Sequence, residues 1–116
     1  MLRVGEGHFG DDAFLDPRAQ ESLEASIHTH MALFGDDARC YSESTVFPAN
    51  ALSPENWIRK MEIEIRCGLR NLFLMSGTWF FTDPYWDRLK KELPRLTELA
   101  QTPPPPHEVR AFVWQL

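Results

Sequence analysis

The sequence predicts a mainly α (α+β) fold, a three-helix core with a small β element, and three observations carry that expectation. Asp16-Pro17, Ser53-Pro54 and Asp83-Pro84 each set an oxygen-bearing side chain, able to cap free backbone N–H groups, before a proline suited to the first helical position. Each pair opens an apolar stripe at helical spacing. Two further segments, residues 39–47 and 108–115, tolerate or alternate like strands and supply the β element.

After Pro17, the residues Leu23, Ile27, His30, Met31 and Phe34 recur at three- and four-residue steps, with Glu21, Glu24 and His28 pointing elsewhere. Gly35 follows where a C-terminal cap belongs. After Pro54, the residues Trp57, Ile58, Met61, Ile65, Gly68, Leu69, Leu72 and Met75 fall within one arc of about 120° at helical pitch. Because the arc stays in phase through Gly68, it predicts one long helix ending near Ser76-Gly77 rather than a break at Cys67-Gly68. A glycine on that buried face lets another element approach the backbone closely.

The competing reading of residues 69–81 is a hairpin, NLFLM-SG-TWFF, since Ser-Gly is a turn dipeptide. It turns the chain from residue 39 onward into a split βαβ (ferredoxin-like) sandwich. Its first strand, rich in Ser and Glu, is a poor central strand, which makes this the second choice. After Pro84, the residues Trp86, Leu89, Leu93, Leu96 and Ala100 form a bundle-type seam, and Pro94 within it is expected to kink or split the helix. Thr78 to Phe81 reads as a short extended link, and Pro103 to Pro106 as a stiff polyproline II spacer.

Residues 1–116 are long enough for a single domain with a real core, and 43% hydrophobic with 25% charged residues matches an ordinary globular composition. The formal charge of -5 opposes direct nucleic-acid binding, whose affinity comes from Lys and Arg at phosphates, and suits a protein partner with a basic surface. No membrane span is expected, because the longest near-apolar run, LFLMSGTWFF, is about half the length a spanning helix needs. With no signal-like opening and only Cys40 and Cys67 for disulfides, the chain reads as cytoplasmic. Both thiols read as buried and inert, since neither has redox or zinc spacing.

The pentapeptide FGDDA occurs at Phe9 to Ala13 and again at Phe34 to Ala38. Nothing beyond it matches, so it reads as backbone punctuation, with glycine taking an unusual angle and aspartates stabilising a turn. Its carboxylates, Asp11, Asp12, Asp36 and Asp37, are candidate partner-binding residues that steer a basic surface. They are not expected to share a metal, because the intervening helix holds the two copies about 25 Å apart.

TWFFTDPYW adds Trp79, Phe80, Phe81, Tyr85 and Trp86, with core packing favoured and any member left outside serving as an aromatic anchor. His30 lies on the apolar stripe and reads as a partly buried, hydrogen-bonded side chain; His28 lies off it.

No glycine-rich phosphate loop, catalytic signature or complete metal-ligand set is present in the sequence, so no cofactor, metal or catalytic residue is assigned. The resulting expectation is a small acidic protein-binding module, in the manner of an inhibitor, an immunity or antitoxin-like protein or a phage counter-defence protein. The alternatives are a small enzyme using His28 or His30 with nearby carboxylates, and a homo-oligomeric (for example homodimeric) structural subunit.

Overall fold

The computed structural model describes residues 2–3, 10–35, 39–43, 50–74 and 81–110. The fold is mainly helical. In chain order it runs β1 (Leu2–Arg3), α1 (Asp11–Phe14), α2 (Pro17–Phe34), β2 (Cys40–Glu43), α3 (Pro54–Arg66), β3 (Asn71–Phe73) and α4 (Asp83–Leu99).

Two of the three proline devices work as expected. Asp16 Oδ1 accepts the Arg18 N–H at 3.0 Å to start α2, and Ser53 Oγ accepts the Asn56 N–H at 3.3 Å to start α3. At α4 the cap moves one residue back, so that Thr82 is the N-cap and Asp83 is already helical. Gly35 ends α2 with φ of 80°.

Pro94 does not split α4, which is continuous from Asp83 to Leu99. Pro94 and Lys90 are both exposed, so the proline falls on the outer side of α4, where water can serve a carbonyl lacking its helical donor, while Leu96 remains anchored in the core.

The expected long helix to Ser76-Gly77 is not formed; α3 stops at Arg66. Gly68 takes φ of 105° and closes the helix, its N–H donating to the Ile65 carbonyl at 3.0 Å and the Leu69 N–H to the Glu64 carbonyl at 3.0 Å. The apolar arc carried past this stop because Leu69 and the strand residue Leu72 pack against the same core as Met61 and Ile65. Gly68 does admit a close approach: a Cβ there would lie 2.7 Å from His107 Nε2 and 3.2 Å from Pro104 Cγ.

The β element is a parallel sheet in the order β1-β2-β3, with Leu2 opposite Cys40 and Ser42 opposite Leu72. Parallel neighbours need crossovers, supplied by α1 and α2 before β2 and by α3 before β3. Within 39–47 a strand forms as expected, and its partners among the described residues are β1 and β3. Residues 108–110 are irregular, and 111–116 lie outside the described residues. The Ser- and Glu-bearing strand β2 is central after all, with Ser42 fully buried; of the second-choice reading only the strand–helix–strand order is realised, because β2 and β3 are direct neighbours and the unit is not split. The second arm of the hairpin in that reading, at residues 78–80, is also outside the described residues.

The core centres on Trp57, 0% exposed. Phe81 lies 4.7 Å from it, and Tyr85 meets it edge-on at 5.5 Å and donates its hydroxyl to the Leu52 carbonyl at 2.5 Å. Phe14, Leu23, Ile27, Met61 and Leu69 complete the packing.

Gly68→Ala forces a side chain into positive φ and against the His107 ring. Urea unfolding should show a loss of about 1–3 kcal/mol, whereas Gly10→Ala, with its nearest neighbour at 3.6 Å and an ordinary φ of -82°, should stay close to wild type.

Candidate functional site

Helices α3 and α4 run parallel, because Arg88 reaches Glu55 at 3.7 Å and, two turns further along both helices, Arg95 binds Glu62. Glu92 joins the two arginines, 2.8 Å from Arg95 Nε and 3.4 Å from Arg88 Nε. This ladder ties together one side of the helix pair.

On the other side the pair opens into an apolar cleft of about 250 Å³ between Met61 and Ile65 of α3, Leu72 and Leu74 at β3, and Leu89, Leu93 and Leu96 of α4. Among the described residues its one charged lining residue is Arg70, whose guanidinium is occupied by carbonyls, with Nη1 donating to Ile65 and Leu69 at 2.8 and 3.0 Å and Nη2 to Thr102 at 3.2 Å. Such a lining takes up apolar groups.

The aromatic candidates have different fates. Trp79 and Phe80 lie outside the described residues, and Phe81 and Tyr85 are core. Trp86 is 39% exposed, with its Nε1–H donating to the Phe81 carbonyl at 3.1 Å, so its ring is held firmly at the surface. Along the same helix Leu93 is 53% exposed, and Leu74 is 37% exposed across the cleft. The spacing of Leu93 predicts a place in a bundle-type seam; in the structure it lines the open cleft instead.

The acidic candidates have different fates. Asp11 starts α1 and at the same time accepts from the Ser53 N–H and the Asn56 side-chain amide, both at 2.8 Å, so it serves as a second cap for α3. Burial acts to raise its pKa, but the hydrogen bonds from Ser53 and Asn56 outweigh this and hold it below the ordinary carboxylate value.

Asp12 is exposed, and Asp36 and Asp37 are outside the described residues. Glu55 and Asp83, in the first turns of α3 and α4, are further acids; the sequence marks Asp83 only as a cap and Glu55 not at all. Parallel packing brings these helix starts to one end of the molecule, where positive dipole ends favour negative charge. The Tyr85 hydroxyl registers that field: burial raises its pKa, and the charges of Asp11 and Glu55 raise it further.

The histidines exchange their expected roles in part. His30 is half-buried, with Nδ1 2.7 Å from the Ser26 carbonyl, as expected. His28, placed off the stripe by periodicity, is only 2% exposed, because the segment after α4 folds over it and brings the His107 ring to 5.3 Å. Burial first, then the Arg110 and His107 charges, lower its pKa against an opposing push from Glu108.

Cys40 and Cys67 are buried thiols, and burial pushes the Cys67 thiol up to about 12. Among the described residues no three His, Cys, Asp or Glu side chains gather into a metal-binding group, and no helix is long and apolar enough to cross a membrane.

Comparison of the chain with protein-family models, curated proteins and solved structures found no match.

Asp11→Ala removes two hydrogen bonds from the start of α3 and should destabilise by about 1–2 kcal/mol, measured by urea titration at neutral pH. Because the folded pKa of Asp11 is depressed, its contribution is present above the ordinary carboxylate value and fades as pH falls through the folded value. An acid titration of stability should therefore lose part of its slope in Asp11→Asn.

Proposed function

We propose that this protein is a binding module whose contact face is the α3–α4 cleft, lined by the exposed Leu93 and Leu74, together with the exposed Trp86 about two turns earlier on α4, and whose partner is a protein presenting a basic amphipathic segment. The observation that carries the reading is the juxtaposition of an exposed apolar stripe with an acidic end. Trp86 sits one turn inside α4, flanked along the helix by the exposed Asp83 and Asp87, with Glu55 at the start of the parallel helix. Arg95 is engaged by Glu62 and Glu92, and Arg88 by Glu92 and Glu55, so the charge offered to an incoming ligand is chiefly that of Asp83 and Asp87.

An aromatic ring held at the surface and leucines at helical spacing suit the ridge of a partner helix, read as anchors every three or four residues. Carboxylates beside them speed encounter with cationic flanks. The net charge of -5 acts in the same sense. Asp12 extends the acidic end, and Asp36 and Asp37 stay candidates for steering. An inhibitor, immunity or antitoxin-like or counter-defence protein in the cytoplasm, occluding a basic surface, has these needs.

Two synthetic helical peptides test the reading, each with leucines three and four residues apart, one with lysine flanks and one with glutamate flanks. The lysine peptide should bind with an affinity that falls as salt is added, and the glutamate peptide at least about tenfold more weakly. Leu93→Asp should abolish binding, and Asp83→Lys with Asp87→Lys should weaken it while keeping the far-UV spectrum. Equal binding of both peptides, or indifference to Leu93→Asp, rejects the assignment.

A further inference from the structure

After α4 the chain crosses the end of α3 and returns along α2, held at four places. The Thr102 carbonyl accepts from Arg70 Nη2 at 3.2 Å. Pro104 and His107 rest on Gly68, where no side chain intervenes. His107 Nε2 lies 2.7 Å from the Cys67 carbonyl; a carbonyl only accepts, so that nitrogen carries the proton. Thr29 and Arg110 exchange two bonds, the Arg110 N–H to Thr29 Oγ1 at 2.9 Å and Thr29 Oγ1 to the Arg110 carbonyl at 3.2 Å.

His28 lies beneath this crossing. Its Nδ1 is buried with no hydrogen-bond partner among the described residues, and its ring stands against His107.

We propose that the segment from Thr102 to Arg110 is a latch that acid releases, with the His28 ring as its trigger. Neutral His28 fits an enclosed site with nothing bonded to Nδ1. The imidazolium must place an N–H there without an acceptor, next to the cationic Arg110 and the second imidazole of His107.

The groups facing this site include both signs. Arg110 and His107 on the latch oppose a proton, Glu108 on the latch favours one, and Burial outweighs Glu108. Glu24 on α2 and Glu64 on α3 lie within electrostatic reach of the adjacent Cys67, whose own thiol stays protonated. Lifting the latch hydrates His28 and lets it take its proton at the ordinary value near 6.5.

The folded pKa of His28 is depressed, so latching is complete above that ordinary value and weakens as pH falls from it through the lower folded value. Opening uncovers the groove, now walled by Pro104 to His107, in which Met31, Ala32 and Gly35 of α2 and its cap lie. This is a separate surface from the α3–α4 cleft, and it does not depend on the binding role assigned to that cleft.

Amide hydrogen exchange with NMR detection on the intact chain tests the latch. In wild type, protection of the Arg110 amide should fall by up to about tenfold per pH unit across the His28 titration, while Trp57 and Ile58 amides in α3 keep theirs. His28→Phe should hold Arg110 protection flat over the same range. Arg110→Gln, which removes a facing cation, should move the His28 Cε1–H titration toward the ordinary value. Unchanged Arg110 protection in wild type, the same decline in His28→Phe, parallel loss at Trp57 and Ile58, or an unmoved titration in Arg110→Gln each overturns the proposal.

Discussion

Helix α3 is enclosed on nearly every side, and the rest of the molecule follows from the need to enclose it. Of its residues, Trp57, Ile58, and the whole stretch from Lys60 to Ile65 are buried. A helix with this many charged residues would normally turn them to solvent. Here Glu62 is taken up by Arg95 and Arg59, and the enclosing surfaces come from α2, α4, β3 and the segment after α4. Most of the stabilisation is apolar burial around Trp57, at about 25 cal/mol per Å² removed from water, and the ionic ladder adds direction more than energy because its outer members are solvated.

The same constraint leaves the molecule lopsided. Arg88, Glu92 and Arg95 draw α4 against one flank of α3, and a helix held along one edge cannot also cover the opposite flank. Leu89 and Leu96 reach inward while Leu93, a turn apart, is left over. The open cleft is thus a by-product of the way the charged edge is closed, and parallel alignment gathers acidic first turns at one end of it.

Legibility in the sequence tracked how local each cause was. Asp16 and Ser53 cap within two or three residues, so dipeptides announced α2 and α3 correctly. The packing of Phe81 and Tyr85 followed from aromatic density alone. Asp11 could not be read as a cap for α3, because its partners Ser53 and Asn56 are more than 40 residues away. His28 fell off the stripe because periodicity sees only one buried face, and the second face of α2 exists only once Arg110 meets Thr29. The end of α3 was hidden by coincidence of phase: Leu72 in a strand projects toward the core where a helical Leu72 would have been. The glycine at position 68 inside the apolar run was the available sign, and the run outweighed it.

The two enclosed thiols also make the molecule its own clock. Alkylation proceeds through the thiolate, and burial keeps both groups protonated at neutral pH, Cys67 with a pKa of about 12. Native-state labelling must therefore wait for the surrounding layer to part. Cys40 sits on the central strand and Cys67 at the end of α3, so the two modification rates time separate excursions, one of the sheet and one of the helix terminus, without any introduced probe.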